Sequence, residues 1–374
     1  MNTHSTGCVL QLVHGYNEPF LSLSALYARS LREAGWRVVT VYLTGPADPS
    51  VHAASLADAV FFLQATSSQL RGLKLALLWR VRQLLRQERV TVLIAQRYKP
   101  LYLSLLASVG TRIPVLGVAH AFGVLAPYAR RIWLQAFHHR VLLAGVSRAV
   151  TADLQQHAGR VRCTPLLNAI DTDARAAQLR QRDDARRALQ LPADAFVFGN
   201  VGRLHPDKDQ GTLIRAFAIV APHFPQAVLV LIGQGRCESE YRALVDQLQL
   251  GARVHITGAV PDAPTLFPAF DAYVATANRE PFGIVLCEAM LAQLPVISTD
   301  CGGAPEVLGD AAMYFTCGDV TALAVQLHAL LEAGPALCRQ RGEQLHRRVQ
   351  QQFSPHAFCQ RLTAVMTMLT ETIA

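Results

Sequence analysis

Glu280 and Glu288 are two carboxylates eight residues apart in the stretch Glu280-Pro281-Phe282-Gly283-Ile284-Val285-Leu286-Cys287-Glu288. Ahead of them Ala272-Tyr273-Val274-Ala275-Thr276 reads as a buried strand, and Ile284 to Leu294 has helical spacing. Gly283 therefore opens a helix whose free backbone N–H groups attract phosphate. On one continuous helix the carboxylates would stand roughly 12 Å apart, too far to flank one hydrolysed bond at about 5–9 Å. With Glu280 in the loop the distance shortens. The pair then suits one long ligand touched at two places, a sugar at one end and a ribose at the other.

Two cations stand where ligands of open α/β sheets bind. Arg203 follows the strand Phe196-Val197-Phe198-Gly199-Asn200-Val201, and Lys208 comes five residues later. An arginine fork matches a diphosphate bidentately and a lysine adds a point charge. Together they can neutralise a departing nucleoside diphosphate without a metal; two ordinary surface cations are the plainer alternative. Gly233 and Gly235 close another strand, where turn geometry alone can call for glycine. No G-x-G-x-x-G is present, which counts against a dinucleotide dehydrogenase. His120 ends the strand Pro114 to Ala119, and a structural or a site role stays open for it. His14-Gly15-Tyr16 ends the first strand. Asp171-Thr172-Asp173 and Asp207-Lys208-Asp209 match D-x-D, and neither is assigned a metal.

The elements that position these residues follow from the pattern of apolar runs. The 374 residues make two units of about 150–200 the natural division. With 51% hydrophobic and 17% charged residues, the chain buries a large core. Short runs such as Val9 to Val13, Val92 to Ala95 and Val228 to Ile232 alternate with amphipathic stretches, so parallel strands covered by helices on both faces are expected. Strands are predicted near 9–14, 38–43, 90–96, 114–119 and 141–147, with helices at 19–34, 70–88, 100–109 and 126–139. After a charged, helix-prone link at 173–190, strands resume at 196–201 and near 228–233, 254–257, 272–276, 295–299 and 313–316. Two doubly wound domains facing a cleft result. Their expected bounds are 1–183 with a returning C-terminal helix 355–374, and 184–354.

No apolar run approaches the ~18 residues that span a bilayer, and the first seven residues lack a basic leader region. A cytoplasmic protein is the expectation. Eight cysteines without a C-x-x-C pair read as reduced structural thiols. Residues 1–180 hold 20 Lys+Arg against 8 Asp+Glu, while the remainder holds 15 against 19, so the first half is expected to meet something anionic. Arg71, Lys74, Arg82, Arg86 and Arg89 share one helical face around Leu75 and Leu78. That face suits an anionic membrane surface, each cation adding about 1 kcal/mol, or the solvated side of a covering helix. Nucleic acid is not expected, because no recognition module is visible and aromatics make up 7%.

The E-x7-E stretch resembles the signature of glycosyltransferase family 4, retaining enzymes of the GT-B fold. Gly202-Arg203 with Lys208, Gly233-Gln234-Gly235, Asn168-Ala169-Ile170-Asp171 and Gly302-Gly303-Ala304-Pro305-Glu306 fall in the family's order, and Gly35-Trp36-Arg37-Val38 resembles its approach to the second strand. The resemblance implies a nucleoside-diphosphate-sugar donor, UDP or GDP type, held by Arg203, Lys208, Gly233, Gly235, Phe282, Gly283, Ile284 and Glu288. It implies Glu280 and His120 at the transferred sugar, and Gly15 and Tyr16 beside a glycan or glycolipid acceptor. No cofactor is implied. The first loop keeps only Gly15 where the family commonly has two adjacent glycines, and Ala169 and Ala277 replace a frequent glycine and serine. Lipopolysaccharide or other cell-surface glycan synthesis is the implied setting, peripheral at the inner face of a membrane. A nucleotide-sugar epimerase, a pyridoxal-phosphate-bearing phosphorylase and a non-catalytic nucleotide-sugar-binding protein are the competing readings.

Overall fold

The structure, a computed structural model, describes residues 7–70 and 74–371. The chain divides into two compact units, Met1–Asp171 with Ser354–Ala374, and Thr172–Phe353.

The first unit begins β1 (Cys8–Val13), α1 (Phe20–Glu33), β2 (Arg37–Tyr42), α2 (Pro49–Ala54), β3 (Ala59–Phe62), α3 (Leu75–Gln87) and β4 (Val92–Gln96). It continues α4 (Tyr98–Ala107), β5 (Val115–Ala119), α5 (Tyr128–Gln135), β6 (Val141–Gly145), α6 (Arg148–Gln155) and β7 (Arg162–Pro165). All pairings are parallel, in the order β3-β2-β1-β4-β5-β6-β7. The central strands form because their runs are apolar and β-branched, and both faces are covered. Gln11, fully buried in β1, is satisfied by donating to Ser24 O at 2.9 Å and Thr40 Oγ1 at 2.7 Å, which ties β1 to α1 and β2.

The second unit holds α7 (Thr172–Gln178), α8 (Arg182–Ala188), β8 (Phe196–Val201), α9 (Gln210–Val220), β9 (Ala227–Ile232), α10 (Glu238–Gln247) and β10 (Val254–Gly258). Then come β11 (Ala272–Ala275), α11 (Ile284–Leu291), β12 (Val296–Thr299), α12 (Ala304–Leu308), β13 (Met313–Phe315) and α13 (Val320–Gln352). Its six parallel strands run β10-β9-β8-β11-β12-β13 around a core that includes Phe198, Leu213, Phe217, Leu229 and Leu327. The final helix α14 (Pro355–Glu371) returns to the first unit, where Phe358 packs its ring 4.8 Å from Tyr27 of α1.

Three features differ from expectation. Strands β3 and β7 were not foreseen; both are four-residue edge strands without a continuous buried run. The charged 173–190 segment is no free link. Its helices dock on the second unit, moving the division ahead of the expected 183/184, because Arg186 ion-pairs with Asp271 at 2.7 Å and also donates to the carbonyls of Ala269, Ala193 and Ala195. Finally, Val320–Glu371 contains an 18-residue window of mean hydropathy 1.3, enough by length and composition to cross a bilayer. Gly334, at φ +72°, interrupts that helix, and Leu323, Leu327 and Leu330 face the core.

Candidate functional site

The loops that follow neighbouring strands β8 and β11 interlock at one rim of the second unit. Asn200, buried at the end of β8, donates to Val274 O at 2.7 Å, and buried Gln210 donates to Arg203 O at 3.1 Å. Asp209 caps α9 through Thr212, accepting from its hydroxyl at 2.7 Å. Thr276 Oγ1 donates to Lys208 O at 2.7 Å, and Asn278 N donates to Asp207 O at 2.9 Å. Across this junction Lys208 Nζ donates to Glu280 Oε2 at 2.6 Å. Glu280 is only 8% exposed, so the pair is held in a low-dielectric setting where charge-assisted bonds are strong. Arg203 is exposed and has no ion partner among the described residues.

The glycines at this rim are demanded by backbone approach. A Cβ at Gly233 would lie 1.8 Å from Gly202 O, and one at Gly235 2.2 Å from Leu204 O. One at Gly302 would lie 2.2 Å from Glu280 O, while Gly303 N donates to that same carbonyl at 2.7 Å. The 233–235 and 302–303 loops thus clamp those carrying Arg203 and Glu280. Gly283 precedes α11 at φ +96°, and the first-turn N–H groups of Ile284 and Val285 lie at the helix end. Phe282 is 2% exposed with its ring 5.6 Å from Phe353, so its side chain is core and only its backbone can meet a ligand. Glu288, on the buried side of α11, lies 3.6 Å from Arg175 of α7. Arg175 was not singled out in the sequence, because nothing in its local pattern points across 113 positions to Glu288.

In the first unit, His14, Arg97 and His120 directly follow β1, β4 and β5, which are adjacent in the sheet. Tyr16 sets its ring edge-on to Tyr42 and Phe62 and donates its hydroxyl to Pro46 O at 3.0 Å. Thr44 Oγ1 fills the space a side chain on Gly15 would need. His120 packs edge-on against Phe20 at 5.4 Å. Burial, and secondarily Arg97, pushes its pKa down to about 3, so the imidazole is neutral at physiological pH. Of the D-x-D acids, Asp171 is bound by Arg29 at 3.0 Å and Asp209 serves as a helix cap.

The basic helix is less free than its spacing implies. It begins at Leu75, and Arg71 lies outside the described residues. Lys74 Nζ rests 4.8 Å over the Tyr102 ring, and Arg82 donates to Ala107 O and Val109 O. Arg89 falls beyond the helix. Leu75, Trp79, Arg80 and Arg86 are exposed on this helix, and Tyr128 and Ile132 are exposed on α5.

Two doubly wound parallel sheets with a returning final helix define the GT-B architecture. Family models described as "Glycosyltransferase Family 4" and "Glycosyl transferases group 1" match residues 25–174 and 181–348. The chain belongs to glycosyltransferase family 4. It is 36% identical over 156 residues to the lipopolysaccharide core biosynthesis glycosyltransferase LpsD of Rhizobium meliloti (strain 1021), a match covering 41% of this chain and 44% of that protein. The chain spans half or less of the length of the curated relatives it matches. Among solved structures, a glycosyltransferase from Rickettsia africae ESF-5 superposes with a TM-score of 0.84 at 16% identity, covering 97% of this chain and 98% of that one. Anabaena HepE in complex with UDP and glucose superposes at 0.77 with 22% identity, covering 96% and 99%.

Proposed function

We propose that the protein is a retaining, metal-independent glycosyltransferase that moves a sugar from a UDP- or GDP-type donor to a hydroxyl acceptor in lipopolysaccharide or other cell-surface glycan synthesis. The observation that carries this reading is the Lys208–Glu280 pair at 2.6 Å, set beside Arg203 and the α11 N-terminus at the carboxyl ends of adjacent strands β8 and β11. Ligands of doubly wound sheets bind at that edge. Arg203, Lys208 and the first-turn amides of α11 would take up the charge of the departing diphosphate. Glu280, oriented by Lys208, would accept from hydroxyls of the transferred sugar, and Glu288 from the ribose. In the first unit, neutral His120 would hydrogen-bond a substrate sugar, with Gly15 and Tyr16 on the acceptor side. Departure and attack then occur on one face of the sugar, which preserves its anomeric configuration.

The UDP- and glucose-bearing HepE supports the donor class, and LpsD supports the glycan setting. The reading places the protein in the cytoplasm at the inner face of a membrane; exposed Leu75, Trp79, Tyr128 and Ile132, with the cations Arg80 and Arg86, support peripheral contact with an anionic lipid surface. Thermal shifts against a panel of nucleotide-sugars test the donor assignment, since a bound donor raises apparent stability by mass action. A shift with a UDP- or GDP-sugar, followed by sugar transfer with unchanged anomeric configuration by NMR, is expected. Consumption of the donor with no acceptor present would instead indicate an epimerase, and binding without turnover toward any acceptor a sensor.

A further inference from the structure

The first unit has its own polar rim, and among the described residues it lacks the internal counter-ion found in the second. Its strand order reverses between β1 and β4: β1 leads toward β2 on one side, and β4 toward β5 on the other. Such a switch point is where doubly wound sheets leave an open crevice. The register pairs Val13 with Gln96 and Gln96 with Val118, so His14, Arg97 and His120 emerge side by side. Arg97 holds φ +84° and ψ 168°, a conformation non-glycine residues avoid, with its N–H bound to Val118 O at 2.9 Å. Its guanidinium lies 4.6 Å over the Phe20 ring. Neither it nor the exposed Lys99 has a carboxylate or carbonyl partner among the described residues. His14 Nδ1 and His120 Nε2 are buried and have no hydrogen-bond partner among the described residues. Two cations, two unpartnered imidazole nitrogens and the first amides of the ten-residue α4 therefore share one edge.

We propose that this edge binds an oxyanion carried by the acceptor, a phosphate ester or a carboxylate, with Arg97 and Lys99 as its principal contacts. The inference rests on reading the first unit as the acceptor side. A backbone held in a sparsely populated region, presenting a fork with no internal acceptor, suits a planar or tetrahedral anion taken bidentately. A wholly neutral acceptor would leave those donors unmatched. His14 and His120 complete the ligand's hydrogen bonds, each from whichever ring nitrogen carries its proton, and the α4 N-terminus adds its dipole.

The test uses the full chain saturated with whichever of UDP and GDP it binds, so that the donor site cannot capture the probe. Glucose 6-phosphate, glucuronate and glucose are titrated in turn by ligand-observed NMR, on the unaltered chain and on Arg97→Gln, Arg97→Lys and Lys99→Gln. We expect at least one of the two anionic hexoses to bind and glucose to bind far more weakly. Preference between the anionic probes identifies phosphate ester or carboxylate. Arg97→Gln should weaken the preferred probe about tenfold, with part of the affinity restored in Arg97→Lys and nucleotide affinity unaltered. Lys99→Gln, at an exposed position, supplies the same comparison if the Arg97 variants do not fold. Equal binding of glucose and the anionic hexoses, or anion binding indifferent to all three substitutions, would overturn the proposal. Failure of both UDP and GDP to bind the unaltered chain counts instead against the donor reading.

Discussion

The two sheet rims use the same topology and resolve their charge differently. In the second unit Lys208 meets Glu280 within the protein, and glycine-mediated contacts at 233, 235, 302 and 303 lock the surrounding loops. In the first unit Arg97 rests on an aromatic ring, and no carboxylate answers it among the described residues. A rim that carries its own counter-ion is organised before any ligand arrives. One that does not leaves the last partner to be supplied from outside. On the proposed reading, the difference separates a rigid device for the donor's diphosphate from a surface whose charge selects the acceptor.

Removing the internal counter-ion is expected to have the largest effect. Lys208→Ala should lower turnover about 10²–10³-fold while leaving the fold intact, measured with a UDP- or GDP-sugar once an acceptor is in hand. Turnover at the original rate would mean the second rim is not the donor site. The contrast in rigidity is tested next by adding one methyl group to each rim. Gly233→Ala sets a Cβ 1.8 Å from a backbone oxygen and should destabilise the second unit by about 2–4 kcal/mol. Gly15→Ala meets only a side-chain hydroxyl at 2.8 Å and should cost under about 1 kcal/mol. Equal falls in melting temperature would remove the claim that the second rim is the more tightly built.

Protonation sharpens the comparison from the other side. His120 has a folded-state pKa of about 3, below its ordinary 6.5, so between those values the unfolded chain binds the extra proton. Stability should therefore rise with pH across that window, by at most about 1.4 kcal/mol per unit, and be lost as pH falls from 6.5 toward 3. Denaturant titrations of the unaltered chain and His120→Phe should differ in slope there; identical slopes would show that the imidazole is not buried in neutral form. The smallest effect is expected at Arg175, 3.6 Å from Glu288 and partly exposed. Arg175→Ala should change UDP affinity by no more than about threefold, whereas Glu288→Gln should weaken it about tenfold.

How much of this was legible depended on whether a residue's surroundings are local. The inner strands announced themselves because they are short, largely apolar runs between turn signals, as in Val228 to Ile232. Strands β3 and β7 did not: each is only four residues long, and β7, at a sheet edge, is largely polar, Arg162-Cys163-Thr164-Pro165. Arg186 looks like one charge in a polar stretch; its burial depends on Asp271 and on carbonyls brought round by the fold. Spacing singled out Glu280 and Lys208 separately, yet their contact depends on loops 72 positions apart interlocking. Phe282 was grouped with the donor residues by its place in the motif, and only Phe353 reveals that its ring belongs to the core. Arg97 carried no signal at all, because an unpaired cation and a paired one are the same letter.

The most direct measurement is a calorimetric titration of UDP and of GDP into the full chain and into Lys208→Ala. One of the two nucleotides should bind the unaltered chain at a single site and lose at least about tenfold in affinity in the variant. Absence of binding by both, or equal affinity in the two chains, would contradict a donor site built on the Lys208–Glu280 pair.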